Sequence, residues 1–120
     1  MKYLFLFFSL ISPFSLAQIV DYQKLENDKN NIQWWYAFDK KTENGFYAWL
    51  KSTFAEDQDP STTSIEMYME FHCADQSMSE EIVKINWRNE APEITNKKMP
   101  FQRIPQKHIS QKLIAEFCTN

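Results

Sequence analysis

The sequence predicts an α+β domain: a single antiparallel β-sheet of five to six strands, with a C-terminal α-helix packed on one face and tied to it by a disulfide. Three observations carry this expectation. The stretch SIEMYMEFHC, residues 64–73, alternates apolar and polar side chains with a period of two. The segment KHISQKLIAEFC, residues 107–118, changes to helical spacing. The only two cysteines, Cys73 and Cys118, close one of these segments each.

In residues 64–73, Ile65, Met67, Met69, Phe71 and Cys73 fall on one face, and Ser64, Glu66, Tyr68, Glu70 and His72 on the other. That is the pattern of a half-buried strand, with the Cys73 sulfur directed into the core. Ile109, Leu113, Ile114 and Phe117 form the apolar stripe of a helix, and Cys118 follows at once. Pro105 suits the start of that helix, and Ser110 is the alternative cap if the first turn is irregular.

The remaining elements extend the sheet. QWWYAFD and GFYAWLKSTFA are aromatic and β-prone, with Asn44-Gly45 as the turn signal between them, its hairpin type left open by the sequence. The second of these strands places Phe46, Ala48, Leu50 and Phe54 on one face and Tyr47, Trp49, Lys51 and Thr53 on the other. EDQDPSTTS is a polar loop punctuated by Pro60. ADQSMSE turns the chain into EIVKINWR, where Val83, Ile85 and Trp87 alternate with Lys84, Asn86 and Arg88. Weaker strands are expected around Phe101 to Ile104 and within QIVDYQKLE.

Residues 1–17, MKYLFLFFSLISPFSLA, combine one early cation, an apolar run from Tyr3 to Ile11 and small residues at Ser15 and Ala17. The apolar run is too short to span a bilayer as a helix and is followed by Pro13, so it reads as a cleaved secretory signal. The mature chain is expected to be one domain, residues 18–120, exported to the periplasm or secreted, with no stable membrane insertion. No cysteine follows the cleavage site to carry a lipid.

The whole chain has a formal charge of −3, and loss of Lys2 with the leader makes the mature part more acidic still. Such a surface does not attract phosphate backbones, so nucleic acid is not an expected partner. A single glycine, Gly45, excludes phosphate-cradling glycine loops.

In an oxidising compartment two thiols usually pair, which predicts Cys73–Cys118. Two separate buried thiols or one redox-active cysteine are the competing readings, disfavoured by the absence of a C-x-x-C spacing. Closing so long a loop would remove denatured-state entropy equivalent to about 4 kcal/mol in the chain-entropy model.

Catalytic and metal chemistry find little support. His72 and His108 are the only histidines, and His72 adjoins a cysteine expected to be oxidised and therefore unable to act as a thiolate. No ligand spacing points to zinc, and no cofactor is expected. Glu66 and Glu70 share a strand face, but carboxylates at alternate positions of a solvated face are ordinary. Glu80-Glu81 and Glu56-Asp57 read as exposed loop charge.

The order WWYAFD, turn, FYAWLKSTF, MYMEFHC, charged hairpin, IVKINW, RIPQKHIS and a terminal AEFC resembles the surface-adhesin protein E-like domains of Gram-negative bacteria. The resemblance spans about Gln33 to Cys118. It implies a sheet whose C-terminal helix is tied by a disulfide, and an exported protein, in some members an adhesin for host extracellular proteins. The missing lipid-bearing cysteine departs from the adhesin-type members and leaves periplasm and surface both open.

If the helix covers the face of Phe46, Met67 and Val83, the opposite face presents Tyr47, Trp49 and Tyr68, with Trp35 alongside, among Lys51, Glu66, Glu70 and His72. Uncovered aromatics offer a large contact area at low entropic cost, a candidate surface for a protein partner. The competing readings are cover by the N-terminal segment, a long loop or a second copy in a homodimer, or ordinary cross-strand pairing. The expected function is non-catalytic binding. An inhibitor or immunity protein that plugs an envelope toxin or hydrolase with the Glu56–Ser64 loop is the alternative.

Overall fold

The structure, a computed structural model, describes residues 20–118. The expected leader, residues 1–17, lies outside the described residues. Among the described residues, seven strands and one short helix follow in order: β1 (Gln23–Lys24), β2 (Gln33–Lys41), β3 (Gly45–Thr53), β4 (Thr62–His72), β5 (Ser77–Trp87), β6 (Glu93–Asn96), β7 (Gln102–Arg103) and α1 (Gln111–Phe117).

The sheet is an antiparallel meander in the order β1 to β6, and β7 joins it by pairing β5. Five to six strands were expected and seven are present, because the outer edge of β5 is shared. β6 pairs residues Ile82 to Ile85, and β7 pairs Ser77 and Met78. β5 is also longer than its alternation predicts: it begins at Ser77, inside the stretch read as a turn. The apolar-polar rule misses this start because Ser77 and Ser79 are buried polar residues.

Alternation builds the long strands. In β3, Phe46, Ala48, Leu50 and Ser52 are buried while Tyr47, Trp49, Lys51 and Thr53 are half-buried. β4 follows suit with Met69 and Phe71. One buried cluster joins Phe46, Ala48, Leu50, Met69 and Phe71 with Ile104 and with Leu113 and Ile114 of α1. The Phe117 ring lies 5.4 Å from Phe46 and 4.8 Å from Phe38.

The helix is shorter than the apolar stripe from Ile109, since the chain from Pro105 to Ser110 forms turns in which His108 N–H bonds Pro105 and Gln111 N–H bonds His108. Ser110 occupies the cap position without a side-chain capping bond; its hydroxyl is buried and unpartnered. Cys73, just past β4, and Cys118, just past α1, form the disulfide across 45 residues of sequence. No described helix is long and apolar enough to cross a membrane.

The β2–β3 connection shows what Gly45 does at the turn that the sequence signals. Gly45 does not adopt a positive φ. Its missing side chain instead admits the backbone of β4, where it pairs with His72. Thr42 closes the turn through its hydroxyl, which accepts from Gly45 N–H at 3.0 Å.

Candidate functional site

The strand register assembles the candidate residues into rows on one face. Trp35 pairs with Lys51, which pairs with Glu66. Ala37 pairs with Trp49, and Trp49 with Tyr68. Lys40 pairs with Tyr47, and Tyr47 with Glu70, while His72 ends the row beyond. The structure thus places Trp35, Tyr47, Trp49, Tyr68, Glu66, Glu70 and His72 on the same side, all half-buried. Opposite-facing neighbours in β3 and β4 belong to the buried cluster.

The rings form a tier. Tyr47 stacks on Tyr68 with centroids 5.2 Å apart and planes at 12°, and Trp49 tilts against Tyr68 at 5.0 Å. Lysine ammonium groups lie over four rings of this face: Lys24 over Trp35 at 5.4 Å, Lys40 over Tyr47 at 5.3 Å, Lys51 over Tyr22 at 5.2 Å and Lys98 over Phe101 at 5.0 Å. Such cation–π contacts bury the lysine stems along the aromatic surface while leaving the charge near water.

Carboxylates lock the tier. Glu70 accepts from Tyr47 at 3.1 Å and from Lys98 at 2.8 Å, and His72 Nε2 lies 3.2 Å from its second oxygen. Lys98 also bonds Glu81 at 2.9 Å. Glu66 accepts from Tyr22 at 3.0 Å and from Asn86 at 2.9 Å. Tyr68 donates its hydroxyl to Asp39. His72 is stacked on Phe101 at 4.0 Å. Glu66 and Glu70 do not meet as a carboxylate pair, because Tyr68 stands between them on the strand.

The electrostatics follow from these partners. Burial alone would raise Glu70 and Glu81, but the Lys98 and Tyr47 hydrogen bonds outweigh it and hold both below the usual carboxylate range. Tyr47 is pushed up to about 12, by Glu81 first and then by burial and Glu70. Burial and the Asp39 bond raise Tyr68 further, and burial with Glu66 raises Tyr22. Glu70 and Glu81, driven down, stay ionised near neutral pH, and Tyr47 and Tyr68, driven up, keep their protons.

Sequence reasoning missed several members of the face. The sequence pattern predicts Glu80 and Glu81 as exposed loop charge, yet both are half-buried in β5, and Glu81 sits at a β-bulge where the register slips between the pairs Tyr68–Ile82 and Met69–Glu80. Lys98 and Phe101 arrive from the segment between β6 and β7, and Tyr22 from the chain just before β1. No local pattern marks them. Glu56 and Asp57 are exposed as expected. Their loop is pinned by Arg88, whose guanidinium donates to the carbonyls of Phe54, Asp59, Pro60 and Thr62.

Among the described residues no three His, Cys, Asp or Glu side chains are grouped as metal ligands. No protein-family model matches the chain, and comparison with curated proteins and with solved structures finds no match.

Proposed function

We propose that this chain is an exported, non-catalytic binding protein, similar to the surface-adhesin protein E-like domains, that recognises a protein partner through the aromatic face of its sheet. The observation that carries the reading is the ring tier of Tyr47, Tyr68 and Trp49, half-buried on the face opposite the core cluster. Its rings are already ordered by Glu70 and Asp39, so a partner would lose little side-chain entropy in docking on them. In this reading α1, through Leu113, Ile114 and Phe117, is the cover of the other sheet face and the disulfide holds the cover in place. The leader-like residues 1–17 and the disulfide both suit export.

A second reading rests on the Arg88-pinned loop. The expected Glu56–Ser64 loop ends earlier, because Thr62 to Ser64 belong to β4, and four carbonyl contacts to one guanidinium make what remains a preorganised loop, the form an inhibitor or immunity protein presents to an active site.

The test is protease accessibility of the natively expressed protein on intact cells and on cells with an opened outer membrane, followed by binding of purified protein to immobilised host extracellular proteins. Digestion on intact cells together with binding supports the adhesin-type role. Protection until the outer membrane is breached, with no such binding, moves the search to envelope toxins and hydrolases.

A further inference from the structure

Away from the aromatic face, a cleft of about 330 Å³ opens between the turn that precedes β2 and the turns that precede α1. Trp34, His108 and Ile109 supply its apolar wall, and Asp28, Lys29, Asn30 and Lys107 line the rest. Its size falls at the lower end of small-ligand pockets.

Both sides of the cleft are held rigid by local chemistry. Asp28 accepts from the backbone N–H groups of Asn30 and Ile32 through one oxygen and from the Trp34 indole through the other. The carboxylate is therefore consumed in shaping the turn, and it fixes the indole plane. Asn31 adopts φ 64° in that turn, and its carbonyl is held by Gln58 at 3.1 Å. On the opposite side, the backbone N–H of Ser110 donates to His108 Nδ1 at 3.0 Å. An accepting Nδ1 places the proton of the neutral ring on Nε2. The His108 ring meets Trp34 edge-on at 6.0 Å.

Three donor groups are left over. Among the described residues, Lys29 and Lys107 make no hydrogen bond or ion pair, and His108 Nε2 has no hydrogen-bond partner. The cleft carries two ammonium groups, Lys29 and Lys107, against one carboxylate, Asp28, which acts on Lys29 and His108 but whose oxygens are already held by three N–H donors; with the spare imidazole N–H this leaves a locally cationic spot on a chain of net charge −3. Charge complementarity selects an anion, and the indole and Ile109 select a planar apolar body.

We infer that this cleft binds an arylalkyl carboxylate, its ring against Trp34 and Ile109 and its carboxylate toward Lys29, Lys107 and His108. The chemistry is shared by a free aromatic acid and by the C-terminal aromatic residue of a polypeptide. Burial lowers the proton affinity of His108, so the ring takes part as a neutral donor at neutral pH.

The experiment is an NMR titration of the oxidised, ¹⁵N-labelled protein with phenylacetate, with N-acetylphenylalanine and with the uncharged control phenylacetamide. The chain has four tryptophans, Trp34, Trp35, Trp49 and Trp87, so the indole N–H signals separate this cleft from the aromatic sheet face. The expected result is a saturable shift of the Trp34 indole signal alone. Affinity for the carboxylates should exceed that for phenylacetamide and fall about fivefold in the double variant Lys29→Ala, Lys107→Ala, as two exposed charge contacts warrant. Neither lysine makes a side-chain hydrogen bond, and Lys29 acts on Asp28 only through its charge, so the variant should fold normally, and an unchanged melting temperature verifies it. Tighter binding of N-acetylphenylalanine identifies a polypeptide terminus as the source, and tighter binding of phenylacetate a free acid. Absence of a saturable Trp34 shift up to tens of millimolar, or equal shifts with carboxylate and amide, overturns the inference.

Discussion

Gly45 lies against the backbone of Phe71 so closely that a β-carbon on it would fall 1.8 Å from the Phe71 carbonyl oxygen. The obstacle is main chain, at the end of the β3–β4 ladder where Gly45 pairs with His72, and cannot rotate aside. Gly45→Ala should therefore cost at least the upper part of the roughly 1–3 kcal/mol range of overpacking substitutions. Urea unfolding checks this: a midpoint close to that of the parent protein would mean that the two strands separate at this end without penalty.

The Cys73–Cys118 bond closes a loop of 45 residues in a chain with a small core. Its removal in the double variant Cys73→Ser, Cys118→Ser should lower unfolding free energy by about 2–5 kcal/mol. The α1 amides should lose hydrogen-exchange protection before those of β3 and β4, because α1 has only seven residues and too few turns to persist unaided. Simultaneous loss of protection throughout would show instead that helix and sheet unfold as one unit.

Trp49 touches Tyr68 on the face proposed for recognition, whereas Leu113 is fully buried in the core cluster. Trp49→Ala should abolish most partner binding while lowering stability by about 2 kcal/mol, the scale of half the burial of a large side chain plus one ring contact. Leu113→Ala should lower stability by about 2–5 kcal/mol without direct effect on that face. Paired melting and binding measurements check the contrast. A larger stability loss for Trp49→Ala than for Leu113→Ala would make the aromatic tier a structural element.

Two pH windows should appear in thermal melts. The folded-state pKa values of Glu70 and Glu81 lie below their ordinary 4.5 because Lys98 and Tyr47 outweigh burial, so these groups stabilise the fold above that value. The contribution is lost as pH falls through the depressed values, and Lys98→Met should flatten this step. His108 is also depressed, from 6.5, by burial. Its unfolded form binds the proton more readily, so stability is complete above pH 6.5 and declines as pH falls toward the folded value. His108→Gln should remove this earlier decline while leaving the acidic step, and a melting curve flat from pH 7 to 5 would contradict it.

Much of the candidate face was legible in the sequence because a strand alternates with a period of two. Knowing that Phe46 and Met69 are apolar places Tyr47, Trp49, Tyr68, Glu66, Glu70 and His72 on the other side. The partners of those residues were not legible. Glu81 joins the face only through a bulge that breaks the alternation, and Lys98 and Phe101 reach it from an irregular segment. The cleft of Trp34 and His108 escaped for the same reason, since its walls are two turns separated by 74 positions along the chain.

By itself, the sequence determined the antiparallel sheet, the terminal helix and the pairing of Cys73 with Cys118, because each rests on local periodicity or on having only two thiols to join. Tertiary structure decided the rest: that the outer edge of β5 serves both β6 and β7, that Gly45 is needed for close approach rather than for a left-handed turn, and which cation meets which carboxylate. Those features depend on distances between segments remote in sequence. Only the packed chain sets them, through strand register and through the requirement that partly buried charges find partners.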